Sequence, residues 1–292
     1  MEYFLTQTIN GLSLGSIYAL IALGYTMVYG IVQLINFAHG DIIMVGSYVA
    51  LFIIPILSSM GLPIWLAVIP AIIVCTLLGV TIEKLAYKPL RNSPRIANLI
   101  TAIGVSLLLQ NLAMKFIGAD SKQVTEIFSK KPLFLGISSN TIIIIITTLV
   151  LTGILQLFLK KTKTGKSLVA VSEDYVASKL VGINVDNAIT ITFAIGSALA
   201  AVAAIFYIST YQQINPTMGS LPGIKAFIAA VLGGIGNIPG AVVGGFILGI
   251  CEIFTRGYIT SQLADAVVFG LLIVTLIFKP TGIFGKNLKE KV

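Results

Sequence analysis

Gly11-Leu12-Ser13-Leu14-Gly15-Ser16-Ile17-Tyr18-Ala19-Leu20-Ile21-Ala22-Leu23-Gly24 carries no charged side chain, and the apolar run around it extends over 8–28. About 20 such residues are what an α-helix needs to cross the hydrocarbon of a bilayer. The pattern recurs at 41–58, 63–82, 98–117, 140–159, 188–208, 224–236, 240–255 and 264–279. The first six segments and the last are long enough to cross. The segment 224–236 is short, and with 240–255 it forms either two spans or a re-entrant pair. Of the 292 residues 57% are hydrophobic and only 10% charged, and the mean hydropathy is +1.00. A soluble chain of this length has no interior large enough to hide so much apolar surface. A soluble enzyme, a nucleic-acid-binding module and a disordered scaffold are all excluded. The expected fold is an all-α polytopic membrane protein, a single transmembrane domain over 1–292 with about eight or nine spans.

The formal net charge of +8 is distributed as an orientation signal. Lys84, Lys88, Arg91, Arg95, Lys160, Lys161, Lys163, Lys166, Lys179, Lys279, Lys286, Lys289 and Lys291 fall in one set of connections. Only Lys115, Lys122, Lys130, Lys131, Lys225 and Arg256 fall in the other. Because Lys and Arg accumulate on the cytoplasmic side, the N-terminus is expected outside and the C-terminus inside, with either reading of 224–255. No nucleic-acid partner is needed to explain the basic excess. The start, Met1-Glu2-Tyr3-Phe4, has no basic region and no small-residue cleavage site, so the first span is expected to be permanent. Cys75 and Cys251 stand apart within apolar runs, as buried thiols do.

Two connections exceed simple turns: an outer one, 118–140, and an inner one, 160–187. In the inner loop, Gly165-Lys166-Ser167 resembles the end of a phosphate-binding loop, but Lys160 occupies the place of the first glycine and no strand precedes it. A nucleotide site is not expected, and neither is a catalytic residue, a metal or a cofactor. Beyond it runs Ser172-Glu173-Asp174-Tyr175-Val176-Ala177-Ser178-Lys179-Leu180-Val181-Gly182-Ile183-Asn184. Ser172 can cap a helix, Glu173 and Asp174 suit its first turn, and Gly182 can end it in a left-handed conformation. The expectation is an amphipathic helix of two to three turns presenting Tyr175, Ala177, Leu180 and Val181. Such a stripe either docks a partner or lies on the membrane face.

The spacing of Glu173-Asp174, Ala177 and Gly182-Ile183 resembles the coupling helix of ABC-importer permeases. Gly11 to Gly24, Ile35-Asn36-Phe37-Ala38-His39-Gly40-Asp41, Lys88-Pro89-Leu90-Arg91 and Gly233-Gly234-Ile235-Gly236-Asn237-Ile238-Pro239-Gly240 are similar to the branched-chain amino acid permeases of LivH type. The likeness runs in order from about residue 8 to 285. Lys179-Leu180-Val181 departs from it, where the family more often carries an apolar pair. The resemblance implies a non-catalytic permease subunit in a bacterial inner membrane. Its partners would be two ATP-binding cassette subunits docking on the coupling helix (Ser172, Glu173, Asp174, Ala177, Leu180 and Gly182), a second permease subunit, and an extracytoplasmic substrate-binding protein. The alternatives are an ABC permease for a monosaccharide, a secondary carrier or channel, and a membrane-embedded enzyme. The last two sit poorly with a chain that keeps its charges at span ends and lacks a catalytic cluster.

Small residues recur four apart at Gly11 and Gly15, at Gly236, Gly240 and Gly244, and at Gly245 and Gly249. This spacing lets helix backbones approach closely in lipid; in a transporter it also suits helices that slide. Asn36, His39, Gly40 and Asp41 interrupt the apolar pattern before the second span. His39 is read either as a hydrogen-bonded residue or a proton relay, and Asp41 as a helix cap. Alternatively the break lines the translocation path, a helix terminus receiving polar groups of the passing amino acid. Asn215-Pro216 and Leu221-Pro222-Gly223 read as outer turns or as a docking surface for the binding protein. Glu252 and Asp265 read as structural carboxylates needing a partner such as Arg256.

Overall fold

The computed structural model describes residues 1–32, 36–91, 93–129, 132–134 and 137–285. Of the residues used above, Ile35, Lys130, Lys131, Lys286, Lys289 and Lys291 lie outside that set. The helices are α1 (Glu2–Val32), α2 (His39–Ser59), α3 (Val68–Ile82), α4 (Arg95–Ile117), α5 (Ser139–Lys161), α6 (Lys163–Glu173), α7 (Tyr175–Leu180), α8 (Val185–Tyr211), α9 (Ser220–Gly233), α10 (Ile238–Phe254) and α11 (Ala264–Phe278). Among the described residues eight helical stretches are long and apolar enough to cross a membrane: α1, α2, Ile64–Leu90 around α3, α4, α5, α8, Ile238–Ile259 and Ser261–Phe278. The chain is a multi-pass helical membrane protein.

The segment 224–236 falls largely within a helix too short to span, and the segment 240–255 within one long enough. α9 begins at Ser220 and has 14 residues, a rise of about 21 Å against a hydrocarbon core of about 30 Å. α10, extended by a π-helical turn over Thr255–Ile259, is a full-length candidate span of 22 residues. The backbone of the segment after α11 closes the far end of α9. Ile283 N donates to Leu232 O (2.8 Å) and Phe284 N to Gly233 O (3.0 Å), satisfying carbonyls that a helix end otherwise leaves free. Lys225 therefore lies within α9, buried, and not in an outer connection.

α1 and α8 form the centre, buried over 78% and 72% of their most apolar windows, whereas α11 is buried over only 11%. Small residues create that centre. A methyl group placed on Gly15 would stand 2.8 Å from Gly245 O, one on Gly11 2.8 Å from the Cα of Ile250, and one on Gly249 2.2 Å from the backbone nitrogen of Gly15. No Cβ fits at those distances, so α1 and α10 meet backbone to backbone, and van der Waals packing substitutes for the hydrophobic drive that lipid removes. Gly240 and Gly244 do the same for α10 against α9, facing the carbonyl oxygens of Gly233 and Ala229. Gly236 is a correction: it precedes α10 and holds φ 89° in the α9–α10 turn, a left-handed conformation that breaks the helical spacing.

The remaining strands are minimal. Lys122–Gln123 of the 118–140 connection pairs antiparallel with Gln213–Ile214 after α8, and Pro132–Phe134 pairs with Ile137–Ser138. The first ladder ties the α4–α5 connection to the segment that leads into α9.

Candidate translocation path and docking helix

α6 leaves α5 at Thr162, whose side chain accepts from Gly165 N (2.9 Å). Gly165 then lies so close to Phe158 that a methyl on it would touch the Phe158 carbonyl at 2.1 Å. Gly165-Lys166-Ser167 is thus the first turn of an amphipathic helix that buries Leu168 and Val171. Ser172 belongs to that helix and donates to Val169 O (2.6 Å); it is not the cap of the next one. Asp174 takes that role. Its backbone is extended (φ −153°, ψ 108°), and its Oδ1 accepts from Val176 N (2.9 Å) and Ala177 N (2.8 Å). The sequence placed Glu173 and Asp174 inside a helix of two to three turns; α7 has six residues and Glu173 ends α6.

Gly182 closes α7 at φ 84°, with Gly182 N donating to Lys179 O (3.1 Å) and Ile183 N to Ser178 O (3.0 Å). The left-handed residue lets the chain reverse and satisfy the last carbonyls. Ser178 is the buried side of this helix, while Val176, Leu180 and Val181 are 66%, 84% and 75% exposed. Glu173, Asp174, Ala177 and Gly182 lie on the exposed surface with them. Lys179 folds back over the Tyr175 ring, its Nζ 4.8 Å from the centroid, so the departure at 179 leaves the apolar tip Leu180-Val181 clear. Fixed at both ends, α7 leaves an apolar tip exposed.

The second site is buried. α2 begins beside the middle of the protein: the His39 ring lies against Gly24, where a methyl would meet Nε2 at 2.3 Å, and stacks edge-on against Tyr25 (4.7 Å). Asn36 Oδ1 accepts from Ala38 N (3.1 Å) and from the Tyr87 hydroxyl (2.9 Å), holding the turn that starts α2. Asp41 does not cap α2, because it sits inside the first turn; its carboxylate accepts from Gln110 Nε2 (2.9 Å). Neither His39 Nε2 nor Asn36 Nδ2 has a hydrogen-bond partner among the described residues.

A turn of the same construction starts α9. Asn215 Oδ1 accepts from Thr217 N (3.1 Å) and Met218 N donates to Asn215 O (3.1 Å), as His39 N does to Asn36 O (3.0 Å). The two turns share the spacing Asn, three residues, Gly, then Asp41 or Ser220. They meet. A methyl on Gly40 would stand 2.4 Å from Gly219 O, and one on Gly219 2.0 Å from Gly40 O. Gln110 Nε2 reaches both first turns, at Asp41 and at Ser220 Oγ (3.2 Å). The sequence places Asn215-Pro216 in an outer turn or a docking surface and does not pair it with Asn36, and it does not single out Gly219; the repeated Asn-to-Gly spacing is the signal for both. Next to this junction, Tyr25 and Tyr29 of α1 face Phe227 and Ala230 of α9 and Ile235 across a narrow crevice with no room for a water molecule.

Two ion clusters flank the junction. Glu252, fully buried, accepts from the Tyr18 hydroxyl (2.9 Å) and pairs with Lys225 (2.7 Å) and Arg256, while Lys225 also reaches Asp265 (2.6 Å). Near α7, Asp186 pairs with Arg91 (2.5 Å) and Lys88 (3.1 Å), and Arg91 pairs with the fully buried Glu83. The partnered reading of Glu252 and Asp265 holds; Lys225, Glu83 and Asp186 were not foreseen in these pairings. Among the described residues no group of three His, Cys, Asp or Glu side chains stands where it could hold a metal ion.

These features define a multi-pass helical membrane protein with a firmly capped short helix whose apolar tip is exposed, and two short turns meeting in its interior. Residues 7–276 match the family described as "Branched-chain amino acid transport system / permease component", and the chain belongs to that family. It is 46% identical over 303 residues to the high-affinity branched-chain amino acid transport system permease protein BraD of Pseudomonas aeruginosa, covering 99% of this chain and 98% of that protein. It is 44% identical over 302 residues to the corresponding LivH protein of Escherichia coli, with the same coverage. The ribose import permease protein RbsC of Haemophilus influenzae shares 25% identity over 260 residues, covering 85% of this chain and 77% of that protein.

Proposed function

We propose that this chain is a transmembrane permease subunit of an ATP-driven importer for branched-chain amino acids. The observation that carries the reading is α7: a helix capped by Asp174 and Gly182 that exposes Val176, Leu180 and Val181, on a chain 44% to 46% identical to branched-chain amino acid permeases. The helix would sit in a groove of an ATP-binding cassette subunit, one on each of two permeases, the second permease being related but distinct. The chain itself would bind no nucleotide and catalyse no reaction. An extracytoplasmic binding protein would deliver the substrate to the surface around Asn215 and Leu221.

The basic α5–α7 side faces the cytoplasm in this reading, with the N-terminus outside and the whole chain acting as one permease unit in the inner membrane. Substrate would pass along the crevice of Tyr25, Tyr29, Phe227, Ala230 and Ile235 beside Asn36, His39, Gly40 and Asp41. Its aromatic and aliphatic walls suit a leucine, isoleucine or valine side chain, and the polar groups of Asn36, His39 and Asp41 suit the charged ends of an amino acid.

Affinity purification of the tagged chain from its own membranes tests the proposal. Two ATP-binding cassette subunits and a second permease should come with the natural chain and be lost from Leu180→Glu, which places a charge at the exposed tip of α7. Recovery of the natural chain without ATPase subunits would overturn the reading.

A further inference from the structure

We infer that Arg91, Glu83 and Tyr87 form a relay that carries movement of the docking helix α7 to the buried turn at the head of α2. The inference rests on the reading of α7 as the ATPase-docking helix and deepens it by naming how the displacement reaches the path.

The relay begins where α7 ends. Only Val181 to Asn184 separate it from α8, and Asn184 caps α8 by accepting from Asn187 N (3.0 Å). A shift of α7 therefore moves the first turn of α8, which carries Asp186. Asp186 is half exposed, but Arg91, which grips it through Nη1 at 2.5 Å, is only 13% exposed. The second arm of the same guanidinium holds Glu83, whose side chain is fully buried. A planar, always-charged fork is suited to spanning two carboxylates in fixed geometry, which a lysine ammonium is not. Glu83 also accepts from Thr190 Oγ1 (2.9 Å), one turn further along α8.

Glu83 opens the π-helical turn Glu83–Tyr87 near the end of the third span. Such turns are rare and are frequently found at functional sites. At the far end of this one, Tyr87 is 1% exposed, packs its ring on Phe193 of α8 (5.3 Å), and donates its hydroxyl to Asn36 Oδ1 (2.9 Å). That oxygen is the one that holds Ala38 N and so shapes the start of α2. Polar or ionic contacts run without a gap from Asp186 through Arg91 to Glu83, and from Tyr87 to Asn36, joined by a single helical turn. A buried ion pair is a weak source of stability compared with an apolar packing of the same volume, so Glu83 and Arg91 add little as mere anchors. As links between two elements that must move together they have a use.

Contiguity alone does not establish coupling, so the test measures coupling itself. The complete transporter, with its ATPase subunits, second permease and leucine-loaded binding protein, is reconstituted in vesicles carrying Tyr87→Phe, Arg91→Gln or both. Tyr87→Phe removes one hydroxyl and keeps the ring on Phe193. ATPase subunits should co-purify as with the natural chain and ATP hydrolysis should continue. Leucine moved per ATP hydrolysed should fall by about three- to tenfold. The double variant should be no worse than Arg91→Gln alone, because both cut one chain of contacts. An unchanged ratio in Tyr87→Phe overturns the relay even where Arg91→Gln fails to assemble. Losses that multiply in the double variant overturn it too. Failure of the docking reading looks different: the natural chain would then recover no ATPase subunits at all.

Discussion

Gly40 and Gly219 bring the starts of α2 and α9 into backbone contact, so close that a methyl on Gly219 would stand 2.0 Å from the carbonyl oxygen of Gly40. Neither contact atom is the end of a flexible side chain, so the space cannot be made by a rotamer change. Gly40→Ala and Gly219→Ala are expected to push the two turns apart and lower leucine uptake at least about tenfold if the turns border the path, since displacements of about 1 Å cost up to about 100-fold where function depends on geometry. Gly104→Ala is the control: it lies in α4 with nothing within 4 Å of the added methyl. It should leave uptake unchanged and thermal stability equal or slightly higher, because alanine favours helix over glycine.

Glu252 is expected to be the most sensitive charge in the protein. It is fully buried and receives Lys225, Arg256 and the Tyr18 hydroxyl. Glu252→Ala strands the buried Lys225 with only the half-exposed Asp265 and should destabilise by about 3 kcal/mol or more. Lys225→Met combined with Glu252→Leu should cost less than Glu252→Ala alone. Thermal unfolding of the purified protein in detergent measures both.

How far the chain was legible follows from the range of the interactions involved. The spans could be read because each is a local property, an apolar run of the right length. The end of α7 at Gly182 could be read for the same reason. Ser172 and Asp174 are both good cap residues, and only the burial of Leu168 and Val171, which keeps α6 helical through Glu173, decides between them. Lys225 looked like a loop charge because its run is short; its partners, Glu252 and Asp265, are set by how α9, α10 and α11 pack. The junction of Gly40 with Gly219 is likewise tertiary, though the matching Asn36 and Asn215 turns leave a trace of it in the sequence.

The ends of α7 give a graded test of docking. Asp174→Ala removes the acceptor of two backbone N–H groups and should weaken ATPase-subunit binding about fivefold, the equivalent of a cap of about 1 kcal/mol. Asp174→Asn and Asp174→Ser should retain most of the affinity.

Gly182→Ala should weaken docking for another reason. Open space surrounds the site, but φ is 84°, and an alanine there costs about 1–2 kcal/mol of backbone strain. Gly182→Asn should be milder, asparagine tolerating the left-handed region. Binding of the isolated ATPase subunit to permease in nanodiscs separates the two.

The central claim is ATP-driven import of a branched-chain amino acid, and uptake into vesicles holding the complete transporter tests it most directly. Labelled leucine should accumulate only with ATP on the α7 side and binding protein on the other, with isoleucine and valine competing and ribose not. Uptake that is independent of ATP, or that is blocked by ribose and not by valine, would contradict it.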